Sequence, residues 1–335
     1  MKACLLPQPM SIDSSPLVFA NTEPPQPGPG QVLIRVSACG ICRTDLHIVE
    51  GELPPRKSPI IPGHQIVGEV VERGANVNRL QAGARVGVAW LHHTCGVCRF
   101  CVSQRENLCV NAGFTGYTVD GGYAEYTLAD ENFVYKLPEK MTDLEVAPLL
   151  CAGIIGFRCL RVTGLAKGQK LGLYGFGAAA HIAIQIARYW GLEVYVCSRE
   201  QRHCDLALEL GAKWAGTQPD EIPAALDGSI IFAPAGELVP PALRALDRGG
   251  VLTLGGIHMS DIPSVPYDLL YYERVVRSVC NNTRQDGEDF LEVAQKAGVK
   301  THIEVFALAE ANRALSALKH DGFEGAGVLS VRPSL

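Results

Sequence analysis

The chain has 335 residues, more than one compact core usually holds, so two domains are expected. Hydrophobic residues make up 47% and charged residues 19%, which excludes bulk disorder, and a formal net charge of -5 excludes a basic nucleic-acid or anionic-membrane surface. Met1 opens no leader pattern and no apolar run reaches the ~18 residues of a membrane span, so the cytosol is the expected location. Thiols stay reduced there, and the 12 cysteines point to metal or catalysis rather than disulfides.

Residues 1–150 are rich in Gly, Pro and short β-branched runs. Residues 31–36 (QVLIRV) alternate, and 66–72 (IVGEVVE) and 85–88 (RVGV) are further strands. Turn signals separate them, at 28–30 (GPG) and 81–83 (QAG). Many short strands with dense turns predict an all-β, partly open barrel. Near Cys151 the pattern changes. Residues 170–174 (KLGLY) are a compact apolar strand, followed by a glycine turn and helical spacing over 178–190. Residues 192–197 are the next strand and 201–211 the next helix, with later strands at 229–233 and 251–254. This alternation predicts βαβ units and a doubly wound parallel sheet. Residues 286–297 read as a helix, and the last short segments are expected to return to the first domain.

Cys95, Cys98, Cys101 and Cys109 form C-x2-C-x2-C-x7-C. Four thiolates on one loop match a closed tetrahedral zinc site, which is structural because no coordination position stays open. An iron–sulfur cluster or four packed thiols are the rival readings. No spacing rule links Cys42, His64 and Cys151. Singly, Cys151 reads as a buried cysteine, His64 as a turn histidine, and Cys39 competes with Cys42.

Gly175, Gly177 and Ala180 form G-x-G-x-x-A between a strand and a helix, the setting that a dinucleotide fingerprint requires. Gly175 permits the tight turn, Gly177 lets the pyrophosphate approach the backbone, and Ala180 keeps helix and strand close. An acid ending the second strand would take a ribose 2′-hydroxyl. Here Ser198 stands in that place and Arg199 follows, a pair suited to a 2′-phosphate. NADP(H) is therefore expected ahead of NAD(H). Glu200 next door complicates this, as a rival that could take a ribose hydroxyl instead, and His203 is a lesser candidate to flank the adenosine.

The segments GICRTDLH (40–47) and PGHQ (62–65), the four-cysteine loop, Cys151 after PLL, and the turn YGFGAAA (174–180) occur in one order. By them the chain resembles the zinc-containing alcohol dehydrogenases of the medium-chain dehydrogenase/reductase family, in its microbial and cinnamyl-alcohol-dehydrogenase-like branch. The resemblance spans nearly the whole length. It implies a GroES-like catalytic domain over 1–152 and 281–335, and a Rossmann domain over 153–280. Zinc and nicotinamide would then face each other across the cleft between them. It implies that Cys42, His64 and Cys151 hold a catalytic zinc with one open position, giving two zincs per subunit, and that Cys39 is core. Asp45 would fix the His64 ring. Thr44 would touch the substrate oxygen and pass its proton, by way of the cofactor ribose, to His47 near the surface.

Gln65 stands where relatives often have Glu, so any assistance by a carboxylate to ligand exchange is in doubt. Thr283 and Arg284, with Asn282, match the segment that closes over the cofactor. Residues 255–257 match the loop near the nicotinamide, and Ala326 stands where some relatives carry a pyrophosphate-binding Arg. Trp90 would narrow the alcohol pocket or serve as core, while His92 and His93 read as loop residues rather than ligands. The implied activity is hydride transfer between a small alcohol or aldehyde and NADP(H), in a homodimer or homotetramer joined through the last strand of the Rossmann domain. A zinc-free quinone or enone reductase and a non-catalytic nucleotide-binding protein are the alternatives.

Overall fold

A computed structural model describes residues 1–332. They form two compact units: Met1–Cys151 with Asn281–Leu291 and the chain from Thr301 onward, and Ala152–Cys280 with Glu292–Lys300.

The first unit begins with β1 (Lys2–Leu5), β2 (Val18–Asn21), β3 (Gln31–Ile41), α1 (Arg43–Glu50), β4 (Gln65–Arg73) and β5 (Arg85–Val88). It continues with β6 (Leu91–His93), β7 (Gly113–Phe114), β8 (Tyr126–Asp130), β9 (Val134–Lys136) and α2 (Asp143–Val146). The 7-stranded sheet has the order β9-β5-β4-β3 on one side. On its other edge, β3 pairs β8 through Gln31–Arg35 and a later strand through Ala38–Ile41. Register shifts at Leu33/Ile34 and Val36/Ala38 let this long strand bend between its two partners, which curls the sheet toward a barrel. Val32, Ile34 and Val36 are fully buried in the core beneath it. The expected all-β reading needs one correction. Residues 43–50 form α1, because three polar residues open a short run whose Leu46, Ile48 and Val49 are buried.

The second unit contains α3 (Ala152–Thr163), β10 (Lys170–Tyr174), α4 (Ala178–Tyr189), β11 (Glu193–Cys197), α5 (Gln201–Glu209), β12 (Trp214–Gly216), β13 (Leu226–Ile231), α6 (Val239–Ala245), β14 (Leu246–Leu254) and β15 (Val275–Ser278). Its 6-stranded sheet is wholly parallel in the order β12-β11-β10-β13-β14-β15. Counted within the unit this is 3-2-1-4-5-6, the Rossmann arrangement, in which ligands bind at the carboxyl ends of the strands where the order reverses. The turn after β10 sits at that reversal. The last elements among the described residues are α7 (Arg284–Ala297), β16 (Ile303–Ala307), α8 (Ala311–Lys319) and β17 (Ala326–Ser330). β17 is the late strand on β3. Among the described residues no single helix is long and apolar enough to cross a membrane.

Candidate functional site

Strand register assembles the first cluster. β3 and β4 are antiparallel with Gly40 opposite Gln65, so Cys42 just after β3 and His64 just before β4 lie at the same end of the pair. Gly63 has φ +96, and a Cβ there would fall 2.3 Å from the Tyr123 ring and 2.9 Å from Cys39 Sγ. Only glycine therefore delivers His64 along this path. Cys151 ends the short turn Ala147–Leu150. One ligand atom from each of Cys42, His64 and Cys151 lies within 4.8 Å of the other two.

Asp45 organises this group from α1. Its Oδ2 accepts the Cys42 backbone N–H at 2.9 Å, capping the helix and fixing the Cys42 backbone. Its Oδ1 accepts from His64 Nδ1 at 2.9 Å. That leaves His64 Nε2 facing Cys42 Sγ, 3.3 Å away. Asp45 and His64 are both 0% exposed, so neither charge survives without the other. A hydrogen bond from Cys151 holds the Cys42 thiol well below the ordinary thiol range, with His64 and the Thr44 hydroxyl assisting against burial. Cys151 is pushed up, by the bond it gives Cys42 and by burial. Burial alone would lower His64, but the charges of Asp45 and Cys42 outweigh it and raise it. Cys39, on β3 itself, is buried and lies outside the cluster. Gln65 is buried with its Oε1 lacking a protein partner, and its side chain packs against Gly40.

The second cluster is local. Cys98 Sγ lies 3.5 Å from Cys101 Sγ, Cys109 Sγ 3.5 Å from Cys95 Sγ, and Cys95 Sγ 3.9 Å from Cys101 Sγ. Four sulfurs around one zinc at about 2.3 Å would lie roughly 3.8 Å apart, so the donor set fits the ion. Backbone N–H groups point inward as well, from Cys98 to Cys95 Sγ at 3.4 Å and from Cys95 to Cys109 Sγ at 3.5 Å. Such bonds, led by that from Val97, hold the Cys95 thiol down to about 6.

Several expectations change on contact with the geometry. His47 is not near the surface: it is buried, 7% exposed, and its Nδ1 is paired with Glu52. Glu52 is half open to solvent, so it is the carboxylate that reaches water. A carboxylate five residues after the histidine was the signal, and a helix end at Gly51 turns it back. His92 and His93 lie in β6 rather than a loop, and neither joins a metal cluster. Burial pulls His92 down to about 4. Trp90 is buried, its ring edge-on to His64 at 5.1 Å and stacked on Phe114 at 5.1 Å and Tyr117 at 5.8 Å. Its Nε1 has no protein partner.

In the second unit Gly175 has φ +84 and its N–H bonds to Cys197 O at 2.8 Å, locking the turn onto β11. A Cβ on Gly177 would meet nothing within 4 Å, so packing does not demand glycine there and the space is open to a ligand. Ala180 is fully buried. Ser198 is buried, with Oγ 3.3 Å from His203 Nδ1, and Arg199 is exposed beside it. Arg202, half-buried on α5, adds a second guanidinium that the strand-end motif does not include. Ile257 is exposed, and Ala326 is a buried start to β17. Thr283 caps α7: its N–H and Oγ1 bond Asp286 Oδ2 at 2.9 and 2.8 Å, and Asp286 N–H returns to Oγ1 at 3.1 Å.

Residues 28–139 match the alcohol dehydrogenase GroES-like domain, and residues 178–297 match the zinc-binding dehydrogenase family. A Mycobacterium tuberculosis (strain CDC 1551 / Oshkosh) protein named "Probable alcohol dehydrogenase AdhA" is 47% identical over 337 residues, covering 99% of this chain and 97% of that one. A cinnamyl alcohol dehydrogenase from Sorghum bicolor superposes with TM-score 0.91 at 28% identity, covering 100% of this chain and 98% of the other. The Helicobacter pylori CAD complexed with NADP(H) superposes with TM-score 0.89 at 26% identity, covering 100% of both. Matched in both parts and along its length, the chain belongs to the zinc-binding alcohol dehydrogenase family, NAD(P)-dependent oxidoreductases that act on small-molecule alcohols or aldehydes.

Proposed function

We propose that the protein interconverts a small alcohol and its aldehyde with NADP(H), using a catalytic zinc on Cys42, His64 and Cys151 and a structural zinc on the four-cysteine loop. The observation that carries this reading is the convergence of two thiols and one imidazole on a common point, with that imidazole's other nitrogen fixed by Asp45. Zinc supplies a Lewis acid for the substrate oxygen, and the nicotinamide supplies or takes the hydride.

The protein's own residues do the rest. Asp45 holds the His64 tautomer and the Cys42 backbone together. Thr44, two residues after Cys42, holds the substrate hydroxyl proton at Oγ1. His47 takes the proton onward, and Glu52 completes the path to water. Trp90 forms an apolar wall beside His64. The turn of Gly175 and Gly177 receives the pyrophosphate while Ala180 keeps helix and strand close, and Ser198 and Arg199 receive the 2′-phosphate, with NAD(H) the lesser cofactor. Thr283 and Arg284 belong to the segment serving the cofactor. The Helicobacter pylori relative, complexed with NADP(H), supports this choice of cofactor.

Two copies would pair through β15. It ends the parallel sheet, and all four of its residues are exposed, Val275 and Val276 among them. The decisive experiment is an aldehyde and alcohol panel with NADPH and NADH, run beside metal analysis of the same sample. Two zincs per chain with NADPH-dependent aldehyde reduction is the expected result. Turnover at undiminished rate after both zincs are removed would sink the reading.

A further inference from the structure

The end of β11 fixes the main chain of Ser198 and leaves its hydroxyl to be aimed by another residue. Every group concerned lies in the second unit. Tyr174 pairs with Cys197 across the parallel β10 and β11, and the Gly175 N–H bonds Cys197 O at 2.8 Å. The glycine turn and Ser198 therefore leave the sheet side by side, at the same edge. On its other flank the Ser198 N–H bonds Gly216 O, at the end of β12, at 3.0 Å. The Ser198 carbonyl accepts from the Sγ of Cys204, a fully buried residue of α5, at 3.6 Å. Strand and helix thus hold Ser198 from both sides, and it is 6% exposed.

The Ser198 Oγ meets His203 Nδ1 at 3.3 Å. His203 is half-buried in the first turn of α5, where its N–H and that of Cys204 both bond Glu200 O, at 3.0 and 3.3 Å. Formed helix therefore carries the ring. A serine hydroxyl has one proton and two lone pairs, and a neutral imidazole has one nitrogen that donates and one that accepts. A bare Nδ1 takes the Ser198 proton, and the serine then turns only lone pairs outward. That suits a ribose 2′-hydroxyl, which donates, and opposes a 2′-phosphate, whose oxygens accept. An Nδ1 that carries hydrogen donates to Oγ instead, and the serine proton turns outward. The state of the nitrogen facing Ser198 thus decides which nucleotide the serine serves.

We infer that His203 is a positioning residue for cofactor choice: its Nδ1–H donates to Ser198 Oγ and aims the serine proton at the 2′-phosphate of NADP(H). This rests on the proposed role of Ser198 and Arg199 toward that phosphate. Arg199 supplies charge, which draws an anion from any direction. The Ser198–His203 pair supplies direction, and it sets a donor where the second strand of an NAD-binding fold would set an acid.

The test reads NADPH and NADH dissociation constants by nucleotide fluorescence on the zinc-loaded enzyme. The variants are His203→Phe, His203→Asn, Ser198→Ala and the double variant Ser198→Ala/His203→Phe. His203→Phe keeps a ring and removes its nitrogens, and it should cut the preference for NADPH over NADH about fivefold to tenfold. His203→Asn carries an amide N–H near the place of Nδ1 and should restore the preference to within about twofold of the parent. Ser198→Ala should cut it as His203→Phe does. The double variant should lose no more than Ser198→Ala alone, because the histidine acts through the serine. Additive losses in the double variant would overturn the inference, since His203 would then act on the phosphate without the serine. Equal losses in His203→Phe and His203→Asn would overturn it as well, since the ring would then serve packing alone. An unchanged preference in His203→Phe, with NADPH binding weakened by Arg199→Ala, would overturn the inference and leave the 2′-phosphate reading standing. An unchanged preference in Arg199→Ala and Ser198→Ala too would remove that reading, and the inference with it.

Discussion

Cys95, Cys98, Cys101 and Cys109 share one loop, whereas Cys42, His64 and Cys151 come from three distant segments of the same unit. The loop closes on itself with backbone N–H groups aimed at its sulfurs, and it needs little from the rest of the fold. The trio exists only because Gly40 pairs with Gln65 and because Gly63 passes the Tyr123 ring. It also recruits a buried carboxylate, Asp45, that bonds directly to the side chain of one of the three. A site made by spacing is robust and closed. A site made by strand register carries a partner that tunes one ligand, which is what an open, reactive position requires.

The sharpest way to break this contrast is to remove one thiol from each cluster. Cys42→Ser should lower kcat by about a thousandfold or more while NADPH still binds, since the electrophile is lost and the nucleotide turn is untouched. Stopped-flow aldehyde reduction with parallel nucleotide titration reads both quantities, and near-normal turnover would contradict the ligand role. Arg199→Ala, in the other unit, should raise the KM for NADPH about tenfold and leave that for NADH within about twofold. Equal effects on the two cofactors would remove the 2′-phosphate argument. Cys98→Ser should cost one zinc and lower the melting temperature, while the kcat of the folded fraction stays within about threefold. A kcat loss as large as that of Cys42→Ser would erase the distinction between the clusters.

Acid gives the mildest probe. His92 lies just before the knot loop, and burial lowers its folded pKa to about 4. The unfolded chain takes up that proton near pH 6.5, so in the window between them it binds more protons than the folded one. Stability from keeping His92 neutral is complete above about pH 6.5 and is lost as the pH falls toward 4, by about 3 kcal/mol in all. In His92→Phe the decline of denaturation midpoint between pH 6.5 and 4 should be shallower. An unchanged slope would show that His92 is not what acid attacks there.

The parts legible in the sequence are those with local causes. C-x2-C-x2-C-x7-C and G-x-G-x-x-A each lie within one loop or turn, and the alternation of β10, α4, β11 and α5 follows from apolar periods within single segments. The trio was legible only by resemblance, because nothing local says which of Cys39 and Cys42 faces His64; the β3–β4 register decides that. α1 was missed because its polar first turn serves the site rather than advertising a helix. Glu52 was missed for a related reason. It acquires its meaning from His47, five residues earlier, only once the helix end at Gly51 turns the chain back.

Gly177 carries a last consequence. Its φ is -98, an ordinary extended value, and a methyl group placed on it would project into open space. The apoprotein should therefore tolerate Gly177→Ala, even gaining about 0.5 kcal/mol from a less floppy unfolded chain. Any damage that this methyl group does would appear only as a smaller rise in melting temperature when nucleotide is added. At this one position the demands of folding and of ligand come apart, and a thermal shift with and without NADPH would weigh them separately.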